Sequence, residues 1–208
     1  LAYWEFSIRG ESKYQEVIQQ CEETFSDLHA DSRVAGQLET WLQEHQDPLT
    51  NRQLQLLSRE YRRSSVPEEL RKKIIALSLE VEETLSIFKP SLRGERCPSN
   101  QLDRILLGEQ DESLRRDAWL ATRQVGSEVA ERTIELVHLR NEVARQLGFD
   151  NYFELAVDDE ELQPEWVEEL LTELENQSET AWLRLQSKLQ GELATKCGKS
   201  AESLMPWD

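Results

Sequence analysis

The stretch DESLRRDAWLATRQVGSEVAERTIELVHLRNEVARQLG, residues Asp111 to Gly148, decides the fold. Leu114, Ala118, Ala121, Val125, Val129, Leu136, Leu139, Val143 and Leu147 recur at intervals that place apolar side chains on one face of a helix. Only Arg132 interrupts the stripe. Asp111 is placed to cap the first free amides, and Gly148 to end the helix in the left-handed region. About 36 residues at 1.5 Å each give a rod of roughly 54 Å, so the helix is expected to pack against several others. Gly126, in mid-helix, is less favourable than alanine by about 1 kcal/mol; it reads either as a close helix contact or as a residue with no special role.

The same period continues on both sides. Tyr14, Val17, Cys21, Phe25 and Leu28 share a face, as do Val34, Leu38, Trp41 and Leu42 after the Asp31-Ser32 break, and the two helices are expected to pair antiparallel. Thr50 with Gln53 and Ser65 with Glu68 have the spacing of capping boxes, so further helices are expected to start at Thr50 and around Pro67. The second of these carries Leu70, Ile74, Leu77, Val81, Leu85 and Phe88 and stops at Lys89-Pro90. Pro90, Gly94, Pro98 and Asn100 make residues 90–100 the least regular stretch and a candidate subdivision. Asp150 opens a short helix with Tyr152, Phe153 and Leu155. Pro164 opens a last long one, whose buried edge is expected to be Val167, Leu170, Leu174, Ala181, Leu185, Leu189 and Leu193. No alternating strand pattern and no Asn-Gly or Asp-Gly turn occurs. The expected fold is all-α: an antiparallel bundle of long amphipathic helices with no sheet, residues 1–208 forming a single helical region.

Lys and Arg number 24 against 41 Asp and Glu, a net charge of −17, and such a field repels phosphate backbones. No nucleic-acid partner is expected. Cys21, Cys97 and Cys197 are widely separated, which suits neither a disulfide framework nor a thiolate zinc site and fits a reducing compartment. No apolar run approaches the roughly 18 residues of a membrane span, so no membrane partner is expected and the expected location is cytoplasmic. Leu1 is not an initiator and Met205 is the only methionine, so the sequence is expected to be a segment of a longer protein.

Chemistry-bearing patterns are few. The histidines are His29, His45 and His138, none followed by glutamate, so no HExxH metal helix can form. Glu135 and His138 have the spacing of one half of a di-iron site, but the second half is missing and His138 reads as a structural or surface residue. Asp158, Asp159, Glu160 and Glu161 lack the alternating oxygens and central glycine of a calcium loop and read as a solvated helix junction. Asn176-Gln177-Ser178 matches a glycosylation sequon only formally, within an expected helix. Trp4, Trp41, Trp119, Trp166, Trp182 and Trp207 read as core residues. No catalytic, cofactor-binding or metal-ligating residue is assigned.

Three stretches carry a family likeness: Leu107-Gly108 followed by Arg115-Arg116-Asp117-Ala118-Trp119, then Leu136 to Tyr152 (LVHLRNEVARQLGFDNY), and Leu204-Met205-Pro206-Trp207-Asp208. They resemble the non-catalytic, N-terminal helical half of zinc oligopeptidases related to oligoendopeptidase F, thimet oligopeptidase and angiotensin-converting enzyme. The resemblance covers about residues 100–208 well and the remainder loosely. It implies a parent zinc metallopeptidase that hydrolyses short peptides, in which these helices wall a substrate channel while zinc, its ligands and the general base come from a catalytic C-terminal half. That half and peptide substrates are the implied partners, and no cofactor is expected in this segment. The alternative is a free-standing acidic helical protein-binding or scaffold module without catalysis.

Overall fold

The computed structural model describes residues 2–9, 12–44 and 47–208; Leu1 and His45 lie outside them. The chain is 81% helical, with nine α-helices among the described residues. It is all-α in class, and it divides into two compact units that share one helix.

The first unit contains α1 (Ala2–Arg9), α2 (Ser12–Leu28), α3 (Ser32–Glu44), α4 (Pro48–Ser64), α5 (Glu68–Ile87), the part of α7 (Glu112–Gln146) from Val129 onward, and α8 (Tyr152–Asp159). The second contains a hairpin of β1 (Ser91–Leu92) and β2 (Glu95–Arg96), α6 (Ser99–Gly108), α7 through Glu128, α9 (Pro164–Cys197) and a 3-10 turn at Ala201–Ser203.

Helix α7 keeps the expected stripe. Ala118, Ala121, Leu136 and Val143 are buried, and Asp111 accepts the Ser113 amide at 2.9 Å. At the far end Gly148 turns at φ 88°, its amide bonding to Arg145 O and that of Phe149 to Ala144 O. These are the paired bonds that satisfy the last carbonyls of a helix. In the second unit Ala118 and Ala121 pack against Leu102 and Cys97; in the first, Val143 and Ala144 pack against Val66 and Leu155, with Leu70 and Ile74 alongside. A second core of the first unit joins Phe6, Ile18 and Leu79.

Several expectations are corrected. Within residues 90–100 a short hairpin forms at 91–96, so the fold is not wholly without sheet: Ser91 faces Arg96 and Leu92 faces Glu95 across an Arg93-Gly94 loop. Both loop residues have positive φ, 52° and 90°, as a primed two-residue turn requires. The Gln124 side chain holds the outer edge of β1, accepting from Ser91 N and donating to Ser91 O, both at 2.8 Å. Helix α2 packs on α1 and α5 while α3 packs on α4, in place of an α2–α3 pair. Ile18 is therefore the residue that α2 buries, and Val17, Phe25 and Leu28 stay exposed. Helix α5 buries two faces, Leu70 and Ile74 toward one core and Ile75 and Leu79 toward the other.

The caps also differ. Asp47, not Thr50, caps α4, accepting the Thr50 amide at 2.8 Å. Ser65 closes the end of α4 on Arg62 O. Asn151, not Asp150, caps α8, with Glu154 returning a bond to the Asp150 amide. Trp4, Trp41, Trp166 and Trp182 are exposed, and only Trp119 and Trp207 are partly buried, on each other.

Gly126 is exposed and a Cβ built there would meet nothing within 4 Å, so no close helix approach explains it. Gly126→Ala is expected to stabilise the fold by about 1 kcal/mol, measured as a raised urea midpoint with unchanged m-value.

Candidate functional site

Two of the three signature segments, Arg115–Trp119 and Leu204–Asp208, meet in the second unit. Arg115, whose side chain is 13% exposed, donates from Nε to Trp207 O at 2.8 Å and from Nη1 to Glu109 O and Gln110 O at 3.0 and 3.2 Å. Its Nη2 lies 3.6 Å from the Asp208 carboxylate, which is 1% exposed. One planar fork therefore ties the α6–α7 connection to the last turn, a geometry that lysine cannot reproduce. Arg116 lies over the Trp207 ring at 5.8 Å, and Asp117 pairs with Arg93 of the hairpin loop at 2.7 Å. Ala118 is fully buried, and Trp119 meets Trp207 edge to face at 5.6 Å. Every residue of Arg115–Trp119 thus has a structural partner.

Lys199 completes the arrangement. The Schellman turn at Gly198 ends α9, and Lys199 then donates to Glu112 at 2.6 Å and to both Asp208 oxygens at 2.7 and 2.9 Å. Burial pushes the Asp208 carboxyl upward, but the Lys199 ammonium, the Met205 amide and Arg115 outweigh it and hold the group below its ordinary range. Glu112 is lowered in the same way, mainly by Lys199.

The Leu136–Tyr152 stretch lies in the first unit from end to end. Asn141 Oδ1 accepts the Tyr152 amide at 2.8 Å, joining α7 to the start of α8, and Arg140 stacks over the Tyr152 ring at 5.3 Å.

The sequence model of Peptidase family M3 matches residues 105–208, which is half of the chain and includes all of α7 and α9. The chain belongs to that family. Family M3 comprises zinc-dependent metallopeptidases. No curated protein and no solved structure matches the chain.

The described residues do not fit the family's zinc. No group of three or more His, Cys, Asp or Glu side chains among them is placed to hold a metal ion. Glu135 is engaged by Lys73 at 2.7 Å, while His138 is exposed in a shallow depression on α7. The acidic run at the end of α8 is not a solvated junction but the partner of an arginine ladder on α4. Arg62 bonds Asp158 and Asp159 at 2.5 and 3.1 Å, Arg63 reaches Asp159 at 3.3 Å, and Arg52 and Arg59 both pair with Glu161. Asn176-Gln177-Ser178 lies exposed in α9, and the three cysteines are free thiols.

The feature that sequence reasoning missed is the exposure of α9. No residue of this helix is buried, and Leu171, Leu174, Trp182 and Leu185 are about half exposed or more. Trp166, Leu189 and Leu193 extend the same apolar band. The periodicity that marked this edge reports an apolar face, whereas burial also requires a partner surface. Among the described residues α9 packs chiefly on the following 3-10 turn.

Arg115→Ala should destabilise the second unit by about 3 kcal/mol, because it leaves buried acceptors and Asp208 without their cation; urea unfolding checks this, and a loss below about 0.5 kcal/mol overturns it. Asp208 also carries a pH signature. A carboxyl with a lowered folded pKa stabilises above about pH 4 and loses that contribution as acid carries it through the folded value. The Trp207 indole resonance should therefore shift only at strongly acid pH, and Asp208→Asn should abolish that step.

Proposed function

We propose that this chain is the non-catalytic helical part of a family M3 zinc metallopeptidase and forms one wall of the channel in which short peptides are hydrolysed. The carrying observation is the exposed apolar band of α9, which lies wholly within the residues matched by the family model. A contiguous apolar face of this length marks a surface meant to be covered. The covering partner in this reading is the zinc-bearing catalytic half of the same polypeptide. Peptide carbonyl hydrolysis then belongs to that half, since the sequence here has no HExxH. The role of this chain is to shape access and to exclude water and folded proteins. Three free cysteines suit a reducing, cytoplasmic setting.

The test is to express this chain alone and joined to the natural coding sequence that carries the zinc motif, and to assay a quenched fluorescent oligopeptide with zinc and with a chelator. The joined protein should hydrolyse the peptide, lose activity to the chelator, and protect α9 amides from hydrogen exchange. Leu174→Asp should reduce both activity and that protection. Hydrolysis by the 208-residue chain alone, or a natural gene with no HExxH, would overturn the reading.

A further inference from the structure

The first unit contains a cleft of about 690 Å³ walled by α2, α4, α5, α7 and α8. Phe25, Val66, Ile74, Ile75, Leu79 and Leu155 give it apolar sides. Its charged groups divide into those already used and those left over. Arg71 donates to Val66 O, Ser26 and Asp27, and Arg63 pairs with Asp159. Glu22, Glu60, Glu82 and Arg140 also line the cleft, and none of them has an ion pair among the described residues.

Two of the remaining charges stand against each other. Glu22 is pushed above the ordinary carboxylate range, first by burial and then by the neighbouring Glu82 carboxylate, so two acidic groups face the same part of the cleft. Arg140 reaches only Ser78 Oγ, at a long 3.5 Å, and the face of Tyr152, which leaves guanidinium donors unused in a partly apolar setting. Ser78 and Glu82 lie four residues apart on α5, about 6 Å along the helix. Arg140 on α7 therefore reaches the stretch of α5 that carries Glu82, roughly one helical turn away.

We propose that this cleft is a binding site for a small zwitterion, an α-amino acid with an apolar side chain. Its ammonium sits between Glu22 and Glu82, its carboxylate on Arg140, and its side chain against Phe25 and Leu79. Small-ligand sites have this composition, largely apolar with a few convergent polar groups. Each pole of the ligand meets side chains of opposite charge. Neither HExxH nor the α9 surface enters the argument, so failure of the peptidase reading leaves it standing.

The experiment is isothermal titration of the 208-residue chain with L-leucine, with N-acetyl-leucine and leucinamide as probes that each lack one charge. Leucine should bind saturably at one site, both blocked probes should bind about tenfold more weakly or worse, and Glu82→Gln and Arg140→Gln should each weaken leucine by a similar factor. Circular dichroism should show unchanged helix in both variants. Glu82 has no ion pair to lose, so E82Q keeps the test decisive if R140Q disturbs the packing on Tyr152. Absence of saturable leucine binding, or binding that E82Q leaves unchanged, overturns the proposal. Leucinamide binding as tightly as leucine also overturns it, because the site would then recognise organic cations alone.

Discussion

Helix α7 buries an apolar stripe, interrupted at Arg132, and one core in each unit is built on it. Ala118, Ala121 and Ala144 are at most 1% exposed, so their methyl groups are fully packed. A larger side chain at any of these positions would force the neighbours apart. Leu102 and Leu155, the largest fully buried side chains, fill the space beside these alanines in the second and first units respectively. The caps at Asp111 and Gly148 then fix where the stripe starts and stops.

The motifs that signal family M3 here are largely architectural. Arg115 satisfies backbone carbonyls and a buried carboxylate at once, and Lys199 bridges Glu112 and Asp208. These residues hold the second unit in shape.

Legibility from sequence followed the range of the interactions. The α7 stripe and its ends were readable because helix period and capping act within a few residues. The hairpin was not, since Arg93-Gly94 is an uncommon spelling of a primed turn and Gln124, which holds its edge, lies 33 residues away. The partners of the acidic run at 158–161 are arginines about a hundred residues earlier, so the run read as solvated. The α9 edge was recognised as apolar, but its exposure depends on what other surface is available to cover it. The cleft's charges come from α2, α5 and α7, and no local pattern joins Glu22, Glu82 and Arg140.

Glu161 stands at the left-handed position that ends α8, where φ is 62° and glycine is the usual occupant. Its carboxylate pairs with Arg52 and Arg59, and its pKa is lowered by them. Side-chain attraction therefore offsets backbone strain in a single residue. Screening by salt weakens the attraction and leaves the strain untouched. The ion pairs that hold the end of α8 are therefore set by ionic strength, while the core beneath it rests on apolar burial.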